Sequence, residues 1–330
     1  MILTIIHKLG SGGSRVKVPP LARHRGEGPK LRAGPAFLRP RFPQPASTPL
    51  TDADPQPSPG PRTVLVLGGG GMKGTAHVGV WKALDEAGIV PDAIIGTSIG
   101  ALIGASIAGG MGWRDLGELA RSLTREDIVS INRRAVWMGG VREEAVFDGG
   151  HFRRYLSANL PLKSFAEAGI PLRINAVSLM GCGEVWFGTG VREDVDPVDA
   201  VYASCAIPIY FPPLRLDGDV LVDGGILNVL PVKQAFEWGA ERVIAVDVGS
   251  EILPPAAGHF DRGMIAIHDR ILTMNIAAQR VRALEEWKGL PVTHVRPRIG
   301  HLGSWDFHRT QYFLEEGYRA MKEALARFPK

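Results

Sequence analysis

Cysteine is nearly absent. Cys182 and Cys205 stand far apart and without metal-ligand spacing, so neither a disulfide framework nor a zinc site is expected, and a reducing cytoplasm fits this usage. No apolar run reaches the roughly 18 residues needed to cross a bilayer. The longest candidate, 99–111, is broken by Gly104, Gly109 and Gly110 and reads as a buried helix. Residues 1–10 lack a cationic start and a small-residue cleavage site, so a secretory signal is not expected. A broad excess of one charge is missing too. The net charge is +4, but nine Lys or Arg against Glu27, Asp52 and Asp54 place +6 on residues 1–60 and leave −2 on 61–330. A duplex-binding domain concentrates positive charge on a folded face. Nucleic acid is therefore not an expected partner, and any membrane contact is expected to be peripheral.

What is present is enough apolar matter for a sizeable core: 45% hydrophobic against 22% charged residues excludes disorder throughout. The chain divides by texture. From 10 to 61 it is rich in Pro, Gly, Ser and Arg, with little apolar periodicity, and buries too little surface to offset its ordering entropy. Residues 1–61 read as a disordered extension and 62–330 as one folded domain.

Thr63-Val-Leu-Val-Leu67 is a continuous apolar strand of the kind buried on both faces of a parallel sheet, followed by a glycine cluster and a helical pattern over 75–87. A second strand, 92–96, leads through Ser98 into a helix at 99–108. Helical patterns dominate 113–160, a candidate cap that includes a helix at 148–159. Strands are expected at 171–179, 184–188, 220–222, 242–248 and 292–295, with helices at 198–205, 231–238, 263–287 and 309–327. Alternation of this kind implies an α/β fold, a three-layer α/β/α sandwich around a mainly parallel central sheet.

Gly68-Gly-Gly-Gly-Met-Lys-Gly74 holds a formal G-x-G-x-x-G match at Gly69, Gly71 and Gly74, and Asp92 stands near the spacing of a ribose-binding acid. It is not a Walker A loop, because Gly74 follows Lys73 where Ser or Thr is required. Glycines at a helix N-terminus let backbone N–H groups approach negative charge, whether phosphate or tetrahedral oxyanion. The loop alone does not choose between them.

Gly96-Thr-Ser-Ile-Gly100 is the G-x-S-x-G pattern in the strand-to-helix setting that gives it meaning, with Ser98 as candidate nucleophile. A hydroxyl needs a base to take its proton. A Ser-His-Asp arrangement would draw on His259, His268, His294, His301 or His308, none in a telling context. Asp223-Gly-Gly225 differs: its carboxylate ends a strand, and the glycines permit a sharp turn beside it.

These blocks, Gly69–Gly74, Gly96–Gly100, Ala203-Ser204 with Pro208, and Asp223-Gly-Gly-Ile-Leu-Asn228 with Pro231, resemble in order the four blocks of the patatin-like phospholipase family over about 64–250. The resemblance implies an α/β/α fold and acyl hydrolysis of phospholipids or related esters by a Ser–Asp dyad, without histidine, cofactor or metal. Carried over, Ser98 is the nucleophile and Asp223 the base. The amides of Gly70, Gly71 and Met72 form the oxyanion hole, supported by Gly69, Lys73 and Gly74. Lys73 stands where the family more often has Arg, which keeps the charge and loses the planar fork. His77 is expected to support the loop, Asn228 to brace the turn after Asp223, and Asp217 and Asp219 to serve a turn. Three other readings stay open: a Ser-His-Asp esterase, a non-hydrolytic regulator holding a nucleotide on the glycine loop, and a family member that keeps these residues but acts mainly as an interaction protein.

Overall fold

The computed structural model describes residues 62–131, 143–255 and 257–327, within a compact unit spanning Pro59–Lys330. The extension expected over 1–61 lies outside the described residues, as does 132–142 of the expected cap.

Strands β1 (Thr63–Leu67), β2 (Ala93–Gly96), β3 (Leu172–Ser178), β4 (Gly183–Gly188), β5 (Leu214–Leu216), β6 (Asp219–Asp223), β7 (Arg242–Val246) and β8 (Val292–Val295) form one sheet. Five of them, in the order β3-β2-β1-β7-β8, run parallel. This is the expected parallel core, and its strands are apolar almost throughout because both faces are covered. On one face Val64, Val66, Ala93, Ile95, Val243 and Ala245 pack with residues of helix α7 (Val232–Glu237) and with Trp287, which follows α8 (Met264–Glu286). The opposite face, with Leu67 and Ile94, receives α2 (Ile99–Ala108), whose Gly104 lies against both side chains. There α1 (Ala76–Glu86) packs against the terminal helix α9 (Thr310–Leu325).

The other strands are antiparallel, and they decide the site. β4 pairs with β3 over 173–178, β6 pairs with β3 at 176–178, and β5 pairs with β6. β2 uses β3 at 172–174. Since β4 overlaps both stretches, β2 and β6 must share the other edge of β3, one after the other. They meet head to head there, Gly96 opposite Ile174 and Asp223 opposite Ala176. Two carboxyl-terminal strand ends thus converge on one point. The short β5 was not among the expected strands. Its turn to β6 has positive φ at Asp217 (50°) and Gly218 (80°), as a two-residue type I′ hairpin requires.

The cap is less helical than its pattern implies. It contains α3 (Trp113–Ser122), the short α4 (Arg125–Ile128) and α5 (Gly149–Asn159), capped by Asp148, but 145–147 is extended, bridging Ala145 to Ile209 and Phe147 to Ile131. No helix among the described residues is long and apolar enough to cross a membrane.

Candidate active site

Ser98 occupies the turn between β2 and α2 with φ 55° and ψ −124°, a conformation L-residues rarely hold. The flanking glycines explain how so tight a turn closes. A Cβ on Gly100 would collide with the Leu67 carbonyl, and one on Gly96 with the backbone of Gly100 and Ala101. The Ser98 amide donates to Ser204 Oγ at 2.8 Å from α6 (Pro197–Cys205), which fixes the elbow from a second helix.

Ser98 Oγ donates to Asp223 Oδ2 at 2.7 Å, and both residues are buried. The other carboxylate oxygen, Oδ1, accepts the Gly225 amide at 2.7 Å. Both oxygens are thus committed, which orients the carboxylate. Burial pushes the Asp223 pKa up to about 7, and the bonds from Ser98 and Gly225 only partly offset it. The glycine after Asp223 is needed for space, since a Cβ on Gly224 would strike Asn175. The Asn228 carbonyl accepts Asn175 Nδ2 at 2.9 Å and Thr97 Oγ1 at 3.4 Å, tying this turn to β3 and to the serine elbow.

The glycine loop passes directly beside the pair. The amide of Gly69 goes to the Val229 carbonyl at 3.1 Å, whereas the amides of Gly70 and Gly71 donate to no other group among the described residues. The Met72 amide is already engaged, donating to the Ser304 carbonyl at 2.8 Å. Two of the three expected oxyanion donors are therefore available, and the third is held by the segment before α9. His77 is fully buried and its Nε2–H donates to the Gly68 carbonyl at 2.8 Å. Burial lowers its pKa to about 4, so it is neutral and holds the loop.

Lys73 is fully buried and donates to Ser250 Oγ at 2.6 Å; burial lowers its pKa to about 8. Arg280 of α8 donates to the Ser250 carbonyl at 2.8 Å, so two cations pin the 249–251 segment beside the glycine loop. Both cations interact with Asp247, which also pairs with Arg296 and His294. Burial would raise Asp247, but the His294 hydrogen bond with Arg296 and Arg280 holds it down at about 2. A branched, multiply bonded Arg is not needed to reach one serine hydroxyl; an ammonium does it.

Ser98, Asp223 and Gly69 to Met72 line one cavity of about 520 Å³. One wall is aromatic: Tyr210, Phe211 and Trp305 stack with Phe147, and Tyr210 Oη donates to Asp269 of α8 at 2.5 Å. Cys205 also lines it; burial, and next the Asp223 carboxylate, push its thiol well above the usual range, so it stays protonated. Of the late histidines, His259 and His301 line the cavity, but no histidine among the described residues hydrogen-bonds Ser98 or Asp223. Asp92 lies at the amino end of β2, its carboxylate accepting the Thr63 amide at 2.7 Å, at the opposite end of the sheet from the glycine loop. No group of three His, Cys, Asp or Glu among the described residues is placed to hold a metal ion. The sequence pointed to the dyad, the loop and its bracing. It gave no sign of the Ser304 contact or of the role of Cys205 in the wall, because both depend on segments far apart in the chain.

The family model described as patatin-like phospholipase matches residues 65–236, which contain the glycine loop, the serine elbow and the aspartate turn. Lysophospholipase NTE1 of Coccidioides immitis is 30% identical over 285 residues, covering 80% of this chain and 17% of that protein. An uncharacterized NTE family protein of Mycobacterium tuberculosis is 35% identical over 200 residues, 60% of this chain and 52% of its own length. Human patatin-like phospholipase domain-containing protein 6 is 34% identical over 202 residues, 57% of this chain and 13% of that protein. The chain thus spans about half or less of the length of these relatives. Among solved structures, VipD from Legionella pneumophila aligns with a TM-score of 0.47 at 13% identity, covering 81% of this chain and 67% of that one. With the family model covering more than half of the sequence and every block of the site inside it, this chain belongs to the patatin-like phospholipase family.

Proposed function

We propose that this protein is a serine acyl hydrolase that cleaves ester bonds of phospholipids or related lipids through a Ser98–Asp223 dyad and an acyl-enzyme intermediate. The observation that carries this reading is the 2.7 Å bond from Ser98 Oγ to Asp223 Oδ2, at a strained elbow opening into a largely apolar cavity. Asp223 accepts the Ser98 proton as Oγ attacks the ester carbonyl carbon. The oxyanion that forms is received by the amides of Gly70 and Gly71, with Met72 as a third donor if the Ser304 carbonyl withdraws. Collapse expels the alcohol portion, which takes the proton from Asp223. Water then attacks the acyl-enzyme, giving a proton to Asp223, which passes it to Ser98 Oγ as the fatty acid leaves. Oxyanion donors typically carry about 100- to 1000-fold of turnover each. A relative named lysophospholipase favours a single-chain lipid as substrate, and the aromatic wall of the Ser98 cavity offers apolar surface to an acyl chain.

The histidine triad reading is disfavoured because no imidazole among the described residues bonds to either member of the pair. The dinucleotide reading is disfavoured because Asp92 sits at the wrong end of β2 to meet a ribose held on the glycine loop. Fluorophosphonate labelling and hydrolysis of a short-chain p-nitrophenyl ester test the proposal. Ser98→Ala should abolish labelling, and Ser98→Ala and Asp223→Asn should each lower turnover on the order of 10⁴-fold, while His259→Ala and His301→Ala retain it. Unimpaired hydrolysis by Ser98→Ala would remove the mechanism.

A further inference from the structure

Helix α8 carries apolar residues on two faces. Its inner face contributes Ala266, Ala277 and Arg280 to the interior, and Leu272, Thr273 and Ile276 to the cavity that holds Ser98. Its outer face is different from an ordinary surface helix. Met264, Ile267, Ile271, Met274 and Val281 recur at intervals of three and four, with Ala278 filling the gap, so they fall on one stripe. All five large side chains are exposed, Met264 by 80%, Ile271 by 62% and Val281 by 58%. At a rise of 1.5 Å per residue the stripe is about 26 Å long. A contiguous stripe of exposed large apolar side chains of this length marks an interaction surface.

The surroundings decide by what. Ile252, Leu253 and Phe260, from the segment leading into α8, are also exposed by about half, and Leu253 with Pro254 and Pro255 lines the cavity. The exposed apolar residues therefore include a segment that lines the cavity as well as the helix, and are spread more widely than the narrow seam two helices need to pair. Beside the helical stripe between Met264 and Val281 the charges are basic, while the exposed acids Glu251 and Asp261 adjoin Ile252 and Phe260. By helical spacing Arg270 and Arg282 flank the stripe on either side, Arg270 also standing at the cavity wall and donating to the Leu253 carbonyl at 2.9 Å, whereas the acid in that stretch, Asp269, reaches Tyr210 and lines the cavity. Glu285 then ends the stripe one turn beyond Val281.

We propose that the outer face of α8, with Ile252, Leu253 and Phe260, is a docking surface for an anionic lipid bilayer, which it holds against the opening of the Ser98 cavity. The inference rests on the lipid hydrolase reading for its purpose but concerns residues outside the dyad. Apolar side chains enter the headgroup boundary while Arg270 and Arg282 meet lipid phosphates, the arrangement of an interfacial amphipathic helix. A lipid leaving the bilayer then reaches Ser98 past α8 itself, without crossing bulk water.

The test uses the full chain, so that the basic residues 1–60 are the same in every sample. Ile271→Asp and Met274→Asp, neither of which lines the cavity, are compared with wild type by co-sedimentation with vesicles of phosphatidylcholine and phosphatidylserine and of phosphatidylcholine alone. Turnover of a short-chain soluble ester and solution mass by light scattering are measured in parallel. The proposal expects tenfold or greater loss of partition onto the anionic vesicles in each variant, weaker wild-type binding to phosphatidylcholine alone, and unchanged soluble-ester turnover, which also reports that the variants fold. Equal vesicle binding by wild type and variants overturns it. So does a wild-type dimer that the substitutions convert to monomer without affecting vesicle binding, which would assign the stripe to a second copy of the chain. Absence of soluble-ester turnover in wild type would instead strike the hydrolase reading, leaving the partition result to judge the surface by itself.

Discussion

The parallel half of the sheet and its antiparallel half each supply one member of the hydrogen-bonded Ser98–Asp223 pair, and they do so by different means. Ser98 is delivered locally: β2, the elbow and α2 are consecutive, and the glycines that close the turn lie two residues either side of the serine. Asp223 is delivered by pairing: β6 must run against β3 on the edge that β2 has vacated, so that its last residue stops two positions beyond Gly96 in the register of β3. The lesson is that the proposed nucleophile is placed by five consecutive residues, whereas its proposed base needs a strand reversal 125 positions away.

That contrast yields measurable consequences. The largest is expected in the local half. In Gly100→Ala the new Cβ meets the Leu67 backbone carbonyl, which cannot swing aside, so the fold should lose about 3 kcal/mol or more. Denaturant melts would register this, and a melt matching wild type would show that the elbow is not so tightly closed.

Next comes the antiparallel half, through pH. Asp223 must be ionised to accept the proton, and burial raises its pKa to about 7. The sign follows directly: kcat/KM for a soluble ester should be low at pH 5, half-maximal near pH 7 and flat above about pH 8. A limb near pH 4 would mean that water reaches the carboxylate and that the strand pairing does not seal it as described.

The smallest effect belongs to the link between the elbow and α6. Ser204→Ala deprives the Ser98 amide of its buried acceptor, at a cost of about 1–3 kcal/mol. Turnover should fall about tenfold with KM little changed, because Ser204 positions the nucleophile without touching substrate. A rise in KM alone would place Ser204 in substrate binding.

Much of this was legible before any coordinates. The strand Thr63–Leu67, the glycine loop and the elbow declare themselves because apolar runs, glycine clusters and helix periodicity are local signals with local causes. The Asp223 turn was legible as a candidate because its glycines mark a sharp bend, and the order of the blocks joined it to Ser98. Other features had no local signature. β5 is three residues long, too short for alternation to show. The extended stretch at 145–147 takes its conformation from bridges to Ile131 and Ile209. The Met72 amide looks free in the sequence and is taken by the carbonyl of Ser304, 232 residues on.

The sequence by itself determined the α/β alternation, the tight serine turn and the chemistry of the residues beside it, since these follow from backbone freedom and side-chain type within a few residues. Only the tertiary structure decided that Asp223 reaches Ser98, that Lys73 and His77 are buried as supports of the glycine loop, and that α8 turns one apolar face inward and leaves the other exposed. Periodicity tells which residues share a face of a helix; what that face meets depends on surfaces contributed by the rest of the chain.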